Sequence, residues 1–277
     1  MIPAITSNDK FHNVIISTGN ILNLNNQLGG KSTEEILYGL RLTLQCQGAA
    51  AQVELIEADG RVLRATEELN QKLTENERSE ISIGAKIFLN KNSSEYIDQA
   101  IRTLLQILKV QHVDNVVLAY HAKVEDDVSQ NHSNELSKTD ANPNENADQL
   151  KALWSSLEQF AEQKQITQLG IADLDIEQLQ RLYAAAKVKP TIAQINLESC
   201  CVVPPALKDY CTKHDIQLLT HSDPEVLLPD EQFIVPGYQV DWALRYQVHV
   251  RCRGVITAKG YILGASKQNQ TDKIERV

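Results

Sequence analysis

Apolar side chains recur along this chain at two alternating periods, and the alternation predicts its architecture. Trp154, Leu157, Phe160 and Ala161 fall at i, i+3, i+6 and i+7, with Ser155, Glu158, Glu162 and Lys164 mainly on the opposite face, which predicts an amphipathic helix. Ile166 to Ile171 then forms a short apolar stretch that reads as a buried strand. It is closed by Ala172-Asp173-Leu174-Asp175, where either Asp can cap a following helix. Ile176, Leu179, Leu182, Tyr183 and Ala186 continue the helical stripe until Pro190 stops it, and Ile192 to Leu197 is the next strand. Strands alternating with amphipathic helices define parallel βαβ units with right-handed crossovers.

The same reading extends in both directions. Asn13 to Ser17, Ile81 to Leu89, Val113 to Tyr120 and Ile216 to Thr220 are expected strands, and Gln52 to Ile56 is a weak one. Glu95 to Leu108 is expected to bury Ile97, Ile101, Leu104, Leu105 and Leu108 on one helical face. Pro204-Pro205 open a helix through Leu207, Tyr210 and Cys211, a role that suits proline in the first turn. Val240 to Val250 reads as a helix and Gly254 to Thr257 as a last strand. The count approaches eight strand–helix units, so the expected fold is α/β, a (β/α)8 TIM barrel formed by residues 1–277 as a single domain. Such barrels typically take roughly 250 residues. An open doubly wound sheet ranks second, because no glycine-rich phosphate turn follows any strand.

Composition changes this picture in one place. Ala122 to Gln149 is rich in Asn, Asp, Ser and Glu and almost free of large apolar groups, so it is expected to be a flexible loop. It would lie on the C-terminal face of the barrel, as a spacer or as an arm that contacts a partner. Residues 266–277 are expected to form a short disordered tail. The start, MIPAITSNDKF, has neither the basic end nor the apolar core of a secretory signal, and no apolar run approaches the ~20 residues of a membrane span. Five cysteines without a repeated spacing do not form a disulfide framework, which points to a reducing, cytoplasmic setting. A formal net charge of -9 excludes an electrostatic grip on nucleic acid.

The segments ISIGAKIFL, LGIADLDIEQLQRLYAAAKVKPTIAQINLE and IQLLTHSDP resemble the aldo-keto reductases. STGNILN at 17–23, AKIFL at 85–89, QINLESCCVVPP at 194–205, DIQLLTHSDP at 215–224 and WALRYQVHVRCRGVITAKGYIL at 242–263 are more closely similar to the modifier (regulatory) subunits of glutamate–cysteine ligase, which have a reductase-like barrel. This second resemblance implies a protein with no catalysis of its own. It implies a heterodimer with the ligase catalytic subunit, better use of glutamate and ATP by that subunit, and relief of its feedback inhibition by glutathione.

The reductase resemblance also implies a site, and most of it is missing. Lys86 matches the lysine that, paired with an Asp, lowers the pKa of a tyrosine acid, but no tyrosine occurs between Tyr38 and Tyr96. The catalytic histidine position falls on Tyr120, with His121 beside it. The Ser-Asn pair that holds a nicotinamide carboxamide corresponds to Ala172 and Asp173. Gln194 matches the cofactor-binding glutamine, and His221 stands where a tyrosine stacks on the nicotinamide. No cofactor and no metal are therefore expected. Lys86, Gln194 and His221 are remnants, read either as barrel-mouth residues satisfied by their neighbours or as a residual dinucleotide or small-metabolite pocket. The rival reading is an NADPH-dependent aldo-keto reductase with a rearranged active site. A general acid commonly contributes 10²–10⁴-fold in rate (order of magnitude), which is what the missing tyrosine would forfeit.

Candidate partner contacts are Cys200, Cys201, Arg251, Arg253 and Lys259. The two adjacent thiols either pack their loop or form a redox-responsive contact. Arg251, Arg253 and Lys259, together with Arg245, either line a solvated helix face or anchor an acidic patch of another protein.

Overall fold

The computed structural model describes residues 11–22, 31–45, 53–56, 60–64, 67–121, 143–196 and 202–268. Among the described residues ten strands form one sheet. In chain order they are β1 (Asn13–Ser17), β2 (Val53–Ile56), β3 (Arg61–Arg64), β4 (Ile81–Leu89), β5 (Val113–Ala119), β6 (Ile166–Ala172), β7 (Ile192–Asn196), β8 (Gln217–His221), β9 (Tyr238–Val250) and β10 (Val255–Lys267). The helices are α1 (Ser32–Gln45), α2 (Glu67–Thr74), α3 (Ser94–Leu108), α4 (Pro143–Glu162), α5 (Ile176–Ala185) and α6 (Pro205–Lys213).

The spatial order is β2-β3-β1-β10-β9-β4-β5-β6-β7-β8. Strands β4 to β8 are parallel neighbours in sequence order, as expected for consecutive βαβ units. Their crossovers use the expected helices. Ser93 caps α3 by accepting from Glu95 N–H, Asp175 rather than Asp173 caps α5 through a reciprocal capping box with Gln178, and Pro204-Pro205 begin α6.

The C-terminal third departs from expectation. Val240 to Val250 is not a helix but most of the 13-residue strand β9, and the short strand expected at Gly254 to Thr257 is the beginning of the equally long β10. The two make an antiparallel hairpin that inserts between β4 and β1, pairing Ile81 to Leu89 with Val250 to Trp242 and Asn13 to Ser17 with Ser266 to Ile262. Trp242, Leu244, Tyr246 and Val248 point to one side at period two, while Ala243 packs on the other. The sequence carries the same period: Val240, Trp242, Leu244, Tyr246, Val248 and Val250 alternate with Asp241, Arg245, Gln247 and His249, with Ala243 the one exception. Gly254, at φ 61, turns the chain between the two strands.

Three further differences are local. The expected loop from Ala122 to Gln149 ends early, because residues 143–149 are the opening turns of α4; 122–142 lie outside the described residues. The expected tail begins late, since Ser266 and Lys267 pair with Gln239 and Tyr238 inside the hairpin. Glu158, expected on a solvated helix face, is buried and accepts from the backbone N–H groups of Lys187 and Val188 at 2.6 and 3.0 Å. It supplies the acceptor that this turn lacks.

The core has two parts, one on each face of the sheet. The outer part packs Ile83, Ile87, Val116, Leu118 and Trp242 against α3, α4, α5 and α6. The inner part joins Ile16, Phe88, Val117, Ala172, Tyr261 and Leu263 to Ile36 and Leu40 of α1 and to Leu227 and Leu228.

Candidate functional site

The polar centre of the inner face arises from strand register. Lys86 on β4 stands directly opposite Arg245 on β9, which stands opposite Tyr261 on β10. Two cations side by side across a sheet repel, and both are largely buried, with side-chain exposures of 5% and 16%. The pair is tolerated because Asp223, two residues past β8, reaches between them.

Asp223 Oδ2 accepts from Lys86 Nζ at 3.0 Å and from one Arg245 nitrogen at 2.9 Å. The other guanidinium nitrogen bonds Oδ1, which also accepts from the Ser32 hydroxyl at 2.6 Å. Burial alone would raise the Asp223 carboxyl. The bonds and charge of Arg245, then the charge of Lys86 and the Ser32 hydroxyl, outweigh it and hold the group well below the usual carboxylate range. Burial pushes the Lys86 ammonium down, against the pull of Asp223. Both cations also lie over Phe88, 5.3 and 5.8 Å from its ring centre.

The row continues across β10. Tyr261 donates its hydroxyl to Glu35 Oε2 at 2.8 Å, and Lys259 pairs with the same carboxylate. Burial drives the Tyr261 phenol far above its ordinary range. The Lys86 amine therefore meets a carboxylate, and the nearby phenol of Tyr261 is spent on Glu35.

At the C-terminal ends of the parallel strands, His221 accepts from Asp223 N–H at Nδ1 (3.1 Å), so its Nε2 carries the hydrogen toward Asp173 Oδ1 (3.0 Å). Asn196 donates to the Asp223 carbonyl at 2.8 Å. His121 lies 3.6 Å from Glu225, with its pKa lowered mainly by burial. Tyr120 does not join this group. Its hydroxyl turns to the helix side, donating to the Asn146 carbonyl at 3.1 Å with Gln149 Oε1 beside it at 3.3 Å. The one-residue step along β5 thus places His121, not Tyr120, at the mouth.

The remnant positions behave differently from one another. Lys86 and His221 are both engaged by the Asp223 segment, whereas Gln194 keeps a buried Oε1 without a hydrogen-bond partner. A reductase's nicotinamide does not fit these residues. Asp173, in place of an amide-binding side chain, is bonded to His221, and the lysine that should serve a tyrosine is neutralised by Asp223. Among the described residues no group of three or more His, Cys, Asp or Glu side chains could hold a metal ion, and no helix is long and apolar enough to cross a membrane.

The expected partner contacts are dispersed. Arg251 pairs with Asp114 and donates to the Ile81 carbonyl, Lys259 is committed to Glu35 inside the molecule, and Arg253 is exposed at the hairpin turn. Cys200 and Cys201 lie outside the described residues. In the sequence Asp223 stands out only as part of the segment IQLLTHSDP, and Ser32 and Glu35 carry no local mark of their role. The available signal was a carboxylate directly after a strand that shares the sheet with a buried lysine.

These features define a protein of aldo-keto reductase type whose reaction centre is occupied by its own ion pairs. Residues 60–223 match the aldo/keto reductase family model. Along nearly its whole length the chain belongs to the glutamate–cysteine ligase regulatory subunits within that family. It is 34% identical over 269 residues to the human glutamate–cysteine ligase regulatory subunit, covering 91% of this chain and 92% of that one. It is 26% identical over 280 residues to a putative glutamate–cysteine ligase regulatory subunit of Schizosaccharomyces pombe, covering 92% and 97%. Among solved structures, an aldo-keto reductase of the silkworm Bombyx mori shares 23% identity at a TM-score of 0.40, over 56% of this chain and 43% of that one.

Proposed function

We propose that this chain is the non-catalytic regulatory subunit of a cytoplasmic glutamate–cysteine ligase. It binds the catalytic subunit as a heterodimer, improves that subunit's use of glutamate and ATP, and relieves its feedback inhibition by glutathione. The observation that carries this reading is the missing phenol at Lys86: among the described residues its amine meets the Asp223 carboxylate, and the nearby Tyr261 hydroxyl is given to Glu35. The similarity to regulatory subunits over 91% of the chain supports a ligase catalytic subunit as the partner.

Regulation of this kind requires the subunit to bind one conformational state of its partner more tightly than another. Linkage then makes the effect reciprocal, so glutamate should tighten the heterodimer by the factor by which the heterodimer tightens glutamate. The test mixes this protein with purified catalytic subunit and measures complex formation with and without glutamate. A stable complex with glutamate-dependent affinity is expected, and absence of any complex would defeat the proposal. The reductase alternative draws on the surviving Lys86 and Gln194. It requires a melting shift with NADPH and turnover of a simple aldehyde, and neither is expected.

A further inference from the structure

At the N-terminal edge of the parallel strands, opposite the end that carries His221 and Asp223, lies a cavity of about 410 Å³. It sits between the end of α2, the start of β4 and the connection from α3 to β5. Cavities of roughly 300–1,000 Å³ are the size that small ligands occupy. Leu73, Ile81, Leu108 and Val110 supply its apolar wall, and Arg78, Lys109 and His112 its basic one. Among the described residues that line it there is no Asp or Glu, in a chain with 36 acidic against 27 basic side chains.

Arg78 is held in one orientation. Its two terminal nitrogens donate to the carbonyls of Ile81 (3.2 Å) and His112 (3.1 Å) and to Asp114 Oδ2 (2.8 Å). Its Nε–H is buried and has no acceptor in the protein. A buried donor left unsatisfied is costly and calls for an explanation. The guanidinium cannot turn toward another group of the protein without giving up these three bonds, so the acceptor has to come from outside, through the cavity that Arg78 lines. Charge favours an anion there. Asp114 is shared between Arg78, Arg251 and the Ile83 N–H, so two guanidiniums face one carboxylate. Lys109 is exposed and forms no ion pair among the described residues. The C-terminal ends of α2 and α3 would oppose an anion, but their last carbonyls are already bonded. The Thr74 hydroxyl donates to those of Asn70 and Gln71, and the N–H groups of Val110 and Lys109 to those of Leu105 and Gln106. Of the acids nearest in sequence, Glu75 pairs with Lys72 and Glu80 accepts from the Glu77 N–H.

We propose that this cavity binds a small organic carboxylate, whose oxygens take the Arg78 Nε–H and the Lys109 ammonium while its short hydrocarbon body lies against Leu73, Ile81, Leu108 and Val110. Hydrogen bonds between ionised partners are the strong ones, which favours an acid over a neutral ligand of the same shape. An inorganic anion would leave the apolar wall without a partner. The site lies at the other end of the strands from the Lys86 row, and it stands or falls independently of the regulatory-subunit reading.

The test titrates hexanoate into the full-length protein by calorimetry, beside 1-hexanol, acetate and phosphate, in wild type and in the variants R78K and K109E. R78K keeps a positive charge toward Asp114 but has no Nε–H, and K109E reverses the charge at an exposed position. Hexanoate should bind wild type at one saturable site, at least about tenfold more tightly than hexanol or acetate, and each variant should weaken it by about tenfold. The melting temperature of K109E should match wild type. Should R78K fold poorly, K109E and the milder K109Q supply the comparison, with the larger loss in K109E. Absence of saturable hexanoate binding to wild type, or affinities within about twofold of wild type in the variants, would overturn the site. Hexanol binding as tightly as hexanoate would reveal a merely apolar cavity, and phosphate binding as tightly an inorganic-anion site; either would overturn the carboxylate assignment.

Discussion

Replacing Asp223 by Asn tests the argument about the inner polar row most directly. The carboxylate is 4% exposed and neutralises two cations that strand register forces together. Removing one partner of a buried ion pair typically costs about 3–5 kcal/mol, because the remaining charge is left without compensation. Lys86 can relieve part of this by releasing its proton, since burial already weakens its hold on it, so D223N should fall near the lower end. For a chain of this size, that loss corresponds to a melting temperature lower by roughly 6–20 °C. K86M should cost less, because Asp223 keeps Arg245 and Ser32, and K86M should recover part of the loss when combined with D223N.

The pH dependence has a definite sign. The folded Asp223 carboxyl lies below its unfolded value of about 3.9, so its stabilisation is fully present above that value and is lost as pH falls through it toward the folded one. The gap between wild type and D223N in urea melts should therefore hold steady from neutrality to about pH 5 and close in stronger acid. A D223N protein within about 1 kcal/mol of wild type at neutral pH would refute the reasoning.

Other substitutions probe neighbouring claims. E158A should lose about 1–3 kcal/mol, since two partly buried N–H groups lose their acceptor; E158Q, whose amide oxygen still accepts, should lose less, and chemical denaturation separates the two. Y246F should be neutral or raise stability by up to about 1 kcal/mol in the same assay, because the Tyr246 hydroxyl is buried without a partner. G260A should destabilise by about 3 kcal/mol or reduce soluble yield, since a Cβ there would collide with the Gly19 carbonyl and the Tyr246 hydroxyl.

Much of the parallel half was legible because each element there carries one clean period. Ile81–Leu89 and Asn13–Ser17 come out with the expected bounds and Pro204-Pro205 mark the start of α6 as anticipated, whereas α5 stops at Ala185, short of the expected end at Pro190. The N-terminal helix α1 and the short strand β3 went unread. The hairpin strand carried a legible signal as well: Val240 to Val250 alternates apolar and polar residues at period two, broken only at Ala243, a pattern that fits a strand and not the expected helix. The loss of the reductase acid could be seen locally, as an absent tyrosine. What replaces it could not, since Asp223 and Lys86 are 137 positions apart and meet only through the sheet.

The inserted hairpin has a kinetic consequence. Strands β1 and β4 both wait for partners that are translated last, so each edge stays unpaired while the chain is synthesised. Pairings of such long sequence separation form late and slowly, and exposed strand edges invite aggregation. Shortening the coding region by a few dozen codons would therefore leave a vacant seam through the middle of the molecule, and such products should enter inclusion bodies or be degraded rather than persist as partial regulators.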